Sequence, residues 1–276
     1  NYYLVGPDNG LFSYLYQKEA RSRDDLFLVG DIHLLQKECE KYGVPALKKI
    51  NFVQASQQIE MNEAPTEALK QKKDSSMLVG INLLKEGKAD AFVSAGNTGA
   101  QMAANLINLE KIKGFNRPAI GSFIPSEKGM VFLIDVGANA DCKALNLLQF
   151  GMMGRIFVDH IFNKSELKIG LLNIGEEEKK GNEISIAAHQ LMKNQCKGFI
   201  GNIEGRDILK GKADVVVCDG FVGNIVLKLA ESVMGVITKS FKRNLGSNLF
   251  VNLGAFLVKP AFLELRRNYD YEEYGG

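Results

Sequence analysis

Phe-Leu-Ile-Asp-Val-Gly-Ala-Asn-Ala-Asp, residues 132–141, is a short apolar run that ends in a Gly/Asn turn and leads into a helical pattern. The same succession recurs as Ala-Phe-Val-Ser-Ala-Gly-Asn-Thr-Gly at 91–99 and as Val-Val-Val-Cys-Asp-Gly-Phe-Val-Gly-Asn at 215–224. Strand, glycine turn and helix together build an anion site in α/β proteins. Backbone N–H groups at a helix start point outward, at the positive end of the macrodipole. Several such turns at one edge of a parallel sheet stand where open α/β folds bind ligands. The three turns therefore predict a phosphate-handling α/β chain.

Working outward, Phe27–Gly30 reads as a strand and Asp31 as the cap of a helix through Tyr42. Ile50–Val53 is a strand, Thr66–Lys85 a helix, Ala89–Ser94 a strand and Thr98–Leu109 a helix, whose Ala100, Ala103 and Ala104 permit close packing on the sheet. Pro118 precedes a strand to Ile124. Val131–Val136, Ile169–Asn173, Gly198–Ile203 and Ala213–Asp219 read as strands. Leu145–Ile161, Glu183–Lys193 and a long run from Asn224 past Leu245 read as helices. Continuously apolar strands separated by helices mean a mostly parallel sheet covered on both faces. With no repeat and no linker, the expected architecture is a single three-layer α/β/α domain over residues 1–276.

The 276 residues carry 34 basic and 32 acidic side chains, a net charge of +2 that gives no global pull toward nucleic acid. Cys39, Cys142, Cys196 and Cys218 are scattered, and the histidines (33, 160 and 189) lie away from every motif in the chain. They form neither a metal template nor a disulfide framework. No signal peptide opens the chain and no apolar run is read as long enough to span a bilayer, so the cytoplasm is the expected compartment. Leu249, Phe250, Leu253, Phe256 and Leu257 share one helical face, suited to packing against the body, a second subunit or a membrane interface.

Chemistry concentrates at the turns. Gly96 and Gly99 allow close backbone approach, and Ser94, Asn97 and Thr98 add side-chain donors for an oxyanion. The stretch is neither a Walker loop nor a dinucleotide fingerprint. Asp135 either ties down loop N–H groups or holds donors that touch the ligand; Asn139 is the more natural ligand-facing group. Lys180, before Gly181-Asn182 and a helix start, places an ammonium beside an anion-binding terminus. Arg206 is either an ion-pair partner of Glu204 or a phosphate ligand. Asp219 and Asn224, with Lys228 following, again put glycines, an amide and a base at a strand end. No Ser/His/Asp or Cys/His nucleophile is evident, which predicts catalysis by positioning and charge.

Pro65 with Lys72-Lys-Asp-Ser-Ser76, Ala89–Ala100, Asp135–Asn139, Leu172–Gly175, Lys179–Glu183, Gly201–Asp207, Asp214–Asn224 with Leu227-Lys228, and Tyr271–Gly276 occur in an order that closely resembles the bacterial phosphate acyltransferases of phospholipid synthesis. The resemblance spans about residues 50–276. It implies a fold similar to isocitrate dehydrogenase and phosphotransacetylase, with protruding C-terminal helices. It implies transfer of a long-chain acyl group from acyl carrier protein to inorganic phosphate, and no resident cofactor, since the phosphopantetheine arm belongs to the substrate. Acyl phosphate would then feed a membrane glycerol-3-phosphate acyltransferase.

The resemblance further implies a homodimer, peripheral membrane association through 224–265 with Leu249, Phe250, Leu253, Phe256 and Leu257 facing the membrane, and no metal. Family members open with an Asp-Ala-Met-Gly-Gly-Asp turn ahead of the point where Asn1 stands, and continue past Gly276, so the chain is expected to be trimmed at both ends. Under this reading Lys180, Asn139 and Asn224 are catalytic. Ser94, Gly96, Asn97, Thr98, Gly99 and Arg206 bind phosphate, and Asp135, Asp219 and Lys228 support them. A phospho-ligand-binding or membrane-scaffold protein without turnover is the alternative. A dehydrogenase of related fold would need a nicotinamide site and an acidic metal triad, which the sequence does not show.

Overall fold

The computed structural model describes residues 2–5, 25–41, 50–94 and 96–245. The chain divides into two compact units, Asn1–Gly114 and Phe115–Gly276. In the first, β1 (Tyr2–Val5), β2 (Asp25–Gly30) and β3 (Ile50–Gln54) form an all-parallel sheet in the order β1-β2-β3. Alternate residues of β2 enter different cores. Leu28 meets Ile50 with Leu35 and Cys39 of α1 (Ile32–Lys41), while Val29 meets Ala55 and Ala89. Both faces are thus covered, which is why the strand reads as an unbroken apolar run. Asp31 caps α1 as expected, its Oδ1 accepting the Leu34 N–H at 3.1 Å.

The helix expected over Thr66–Lys85 is two: α2 (Pro65–Gln71) and α3 (Ser76–Lys85). Short polar side chains offer the backbone a competing set of bonds at the break. Asp74 Oδ2 accepts the Ser56 N–H at 2.7 Å and its hydroxyl at 2.6 Å, and the Ser75 hydroxyl caps α3 from the Leu78 N–H. The strand expected over Ala89–Ser94 shrinks to one bridging residue, Val93; Ala89 and Phe92 pack among side chains of α3 instead. The small residues of α4 (Thr98–Asn108) act as expected but against other partners. Ala100 and Ala104, both fully buried, share a core with Leu69 of α2 and Met77 and Ile81 of α3.

The second unit holds a hairpin, β4 (Gly121–Ser126) and β5 (Gly129–Ile134), then α5 (Ala144–Phe162), β6 (Ile169–Leu172), α6 (Glu183–Gln195), β7 (Phe199–Ile203), α7 (Gly205–Leu209), β8 (Val215–Val217) and α8 (Gly220–Leu245). The sheet order is β4-β5-β8-β6-β7, with only β4 antiparallel. Phe132, Ile134, Val215 and Val217 face a core with Phe150 of α5 and Met192 of α6. Val131, Leu133 and Val216 face the other, with Ile208 of α7 and Val226 and Leu227 of α8. Each unit is thus layered as helix, sheet, helix.

One expectation changes here. Gly220–Ile237 is a helical stretch long and apolar enough, by length and composition, to cross a membrane. Its first turns pack on the sheet through Val226 and Leu227, while Phe221, Ile225, Leu229, Val233 and Ile237 stay exposed. Leu249, Phe250, Leu253, Phe256 and Leu257 lie outside the described residues. Phe150 has no exposed surface in the larger core, so Phe150→Ala is expected to cost about 3–5 kcal/mol in urea unfolding. A loss under about 1 kcal/mol would contradict this packing.

Candidate active-site edge

Strands β5, β8, β6 and β7 are mutually parallel, so their carboxyl ends share one edge. Four of the sequence motifs arrive there in spatial order: Asp135–Asn139 after β5, Asp219–Asn224 after β8, Asn173–Asn182 after β6 and Glu204–Asp207 after β7. The helices following β5 and β6 cover one face and those following β7 and β8 the other. Connections therefore part to opposite faces beside β8, the switch point at which α/β sheets bind ligands.

Asp135 is completely buried, and its carboxylate gathers the loop around itself. Oδ1 accepts the N–H groups of Ile120, Gly137 and Ala138 at 3.1, 3.2 and 3.0 Å. Oδ2 accepts the Asn139 N–H and side-chain amide, both at 2.8 Å. The Asn139 amide also donates to the Pro118 carbonyl at 2.8 Å, so Asn139 is buried and its donors are engaged within the loop. Of the two roles open to Asp135 in the sequence, tying down loop N–H groups is the one the geometry displays.

Helix α8 begins against this loop. The Gly220 N–H donates to the Asn139 carbonyl at 2.8 Å, and Asp219 Oδ1 accepts the Val222 N–H at 2.8 Å as the helix cap. A side chain at Gly220 would come within 2.8 Å of the Asn139 nitrogen, and one at Gly223 would overlap the Asp135 carbonyl. Asn224 is exposed one residue later, beside Gly137, and Lys228 pairs with Glu231 at 2.9 Å.

Lys180 sits in the loop after β6. Its side chain is half-exposed, and the Glu177 carboxylate stands 3.8 Å from its ammonium. Its neighbours are bound more closely: Lys193 to Glu178 at 2.6 Å and Lys212 to Glu176 at 2.7 Å. Asn182 caps α6 through the Ser185 N–H at 2.8 Å. Arg206 pairs with Glu204 at 2.9 Å and is two-thirds exposed. Asp207 is buried; desolvation opposes its charge, but the Glu204 N–H and the Lys212 ammonium outweigh it and hold the carboxyl below its ordinary range.

The turn at 94–99 belongs to the first unit. Gly96 N–H donates to the Ser94 hydroxyl at 3.1 Å, and Thr98 is exposed at the start of α4. Asn97 is buried. Its oxygen caps α4 from the Ala100 N–H at 3.0 Å, and its amide reaches the carbonyls of Glu60 and Glu63 at 3.2 and 3.0 Å. Asn97 thus clamps the turn to the 60–63 loop, and Gly99 leaves room for Pro65.

Two features escaped the sequence. Asn202 and His189, both nearly fully buried, are joined at 3.0 Å between Oδ1 and Nδ1. His189 therefore does not stand apart from the motifs: it lies 13 residues before its partner, across a helix end. Among the described residues no group of three or more His, Cys, Asp and Glu is placed to hold a metal.

Comparison with known proteins gives one answer. A family model described as "Fatty acid synthesis protein" matches residues 11–276. A phosphate acyltransferase of Thermoanaerobacterium thermosaccharolyticum is 46% identical over 252 residues, covering 91% of this chain and 74% of the relative. One of Pelotomaculum thermopropionicum is 45% identical over 254 residues, covering 92% and 74%. A solved phosphotransacetylase of Streptococcus pyogenes shares the fold, with a TM-score of 0.64 at 18% identity over 84% of this chain and 82% of that one.

Two measurements check the edge. Gly223→Ala is expected to lower stability by about 1–3 kcal/mol, whereas Gly235→Ala, in open space on the same helix, should be neutral or gain up to about 1 kcal/mol; equal effects would contradict the close approach. Burial, aided by the Asp135 and Asp219 carboxylates, pushes the Cys142 thiol up to about 11. Folding thus disfavours its thiolate. Its contribution to stability is intact below the unfolded thiol value of about 8.5 and is lost as pH rises toward the folded value. Cys142 should resist alkylation in the native protein at mildly alkaline pH and react once unfolded; equal rates would contradict its burial.

Proposed function

Because this chain belongs to the phosphate acyltransferase family and is an acyltransferase, we propose that it moves a long-chain fatty acyl group from the thioester of acyl carrier protein to inorganic phosphate, releasing acyl phosphate. The observation that carries the assignment of chemistry to residues is the loosely paired ammonium of Lys180 on the shared carboxyl edge, 3.8 Å from Glu177, while Lys193 and Lys212 hold the other glutamates of that loop at 2.6 and 2.7 Å. A charge held this loosely is available to an incoming anion at little cost in broken pairing.

A phosphate oxygen attacks the thioester carbonyl carbon, forming the C–O bond and an oxyanion. Collapse of that adduct breaks the C–S bond and expels the phosphopantetheine thiolate. With a thiol pKa of about 8.5, the leaving group needs no strong general acid. Lys180 neutralises phosphate and the developing charge, and Arg206 adds a second cation on the same edge. Asn224, exposed at the start of the second turn of α8, supplies the amide donor to the oxyanion. Asn139, its donors engaged by Pro118 and Asp135, keeps the loop in shape. In the first unit, Asn97 holds the 94–99 turn, in which the Gly96 N–H is engaged by Ser94 and Gly99 packs on Pro65, leaving the exposed Thr98 as the phosphate contact on that unit. No resident cofactor enters the scheme, since the carrier's arm arrives with the substrate.

The same reading extends to partners. The exposed apolar face of α8 supports a second copy of the chain and, with 249–257, a peripheral membrane contact for a cytoplasmic enzyme. Acyl phosphate released there passes to a membrane glycerol-3-phosphate acyltransferase.

Phosphate-dependent loss of acyl-carrier thioester tests the scheme. Lys180→Ala is expected to lower kcat/KM by about a hundredfold or more. An unchanged rate would remove Lys180 from the chemistry. Binding of phosphate and acyl carrier by the wild-type chain with no turnover would favour a binding module instead.

A further inference from the structure

We propose that His189 and Asn202 form a positioning pair that fixes the peptide of Lys180, and so the place from which its ammonium acts; this rests on the reading of Lys180 given above. Both residues are 3% exposed. Asn202, at the end of β7, directs its amide nitrogen to the Glu177 carbonyl at 2.8 Å and its oxygen to His189 Nδ1 at 3.0 Å. The Glu177 carbonyl also receives the Lys180 N–H, at 3.0 Å. The Lys180 carbonyl in turn accepts from the Asn173 amide at 2.9 Å. Lys180 is therefore held directly by Asn173 at its carbonyl and, at its N–H, through the Glu177 carbonyl that Asn202 grips beside a buried histidine.

The Glu177 carbonyl, which can only accept, and the histidine together decide which way the amide points. An asparagine amide presents a donor on one side and an acceptor on the other, and exchanging them reverses both contacts. With its NH2 group on the Glu177 carbonyl, Asn202 turns Oδ1 to the ring, and the pair closes with the His189 proton on Nδ1. The ring is held for this by Phe199, edge-on at 5.2 Å between centroids. Its Nε2 stands 3.9 Å from Glu178, which Lys193 engages at 2.6 Å. A reversed amide would set its oxygen against the Glu177 carbonyl and release the loop. Displacing a catalytic group by about 1 Å from a distant substitution can cost about a hundredfold in rate.

In the wild-type protein, long-range proton–nitrogen spectra recorded above the titration range of imidazoles should show the His189 proton on Nδ1; a proton on Nε2 would overturn the pair. Asn202→Asp keeps an acceptor for His189 and removes the donor to Glu177. It should speed amide exchange across 176–182 and raise the phosphate KM by about tenfold, with the acyl-carrier KM little changed. His189→Leu should behave alike, and His189→Asn, whose amide stands in for Nδ1–H, should restore both readouts. Unchanged exchange in folded Asn202→Asp would overturn the proposal. Faster exchange together with an unaffected Lys180→Ala enzyme would uphold the pair and reject the role given to the lysine.

Discussion

A carboxylate with no exposed surface is costly unless donors replace its water, and Asp135 is such a group. Its two oxygens accept five N–H bonds, drawn from the strand approach at Ile120 and from the turn Gly137–Asn139. Removing it would strand those donors at about 1–3 kcal/mol each. The turn held this way then accepts the first residue of α8 through the Gly220–Asn139 bond. Two strand ends and a helix start are joined by one buried charge.

Order propagates from there along the sheet edge. β8 lies between β5 and β6, so the loop anchored by Asp135 stands one strand away from β8 and two from the loop that carries Lys180. The edge combines two kinds of local structure. Near β5 nearly every polar group is satisfied internally, giving a stiff wall. At β6 and β7 lysine and arginine side chains reach outward, and the loop after β6 has its backbone fixed by Asn173 and Asn202. Stiff backbone with one loosely paired ammonium, that of Lys180, suits a reaction that works through placement and electrostatics.

Much of this was legible in the sequence, for physical reasons that can be named. Strands such as Val215–Val217 and Ile169–Leu172 are covered on both faces, so they appear as unbroken apolar runs, and their turns carry the glycines that close approach requires. The two roles open to Asp135 could not be separated without knowing where the N–H groups of 120 and 137–139 go. The break between α2 and α3 was hidden because Lys72–Ser75 looks helical until Ser56 and Gln57 take up Asp74. Asn97 reads as a ligand from its glycine neighbours, yet the carbonyls it grips lie 34 and 37 residues earlier. His189 looks isolated in the sequence for a similar reason: its partner is close in space and displaced in sequence by a helix end.

The central claim is that phosphate itself is the nucleophile toward an acyl thioester. Mass spectrometry of the product made from acyl carrier thioester and oxygen-18-labelled phosphate addresses it directly. The account predicts acyl phosphate that retains every labelled phosphate oxygen, including the one now bonded to the acyl carbon. Free fatty acid with oxygen from water, or acyl phosphate whose bridging oxygen is unlabelled, would contradict it.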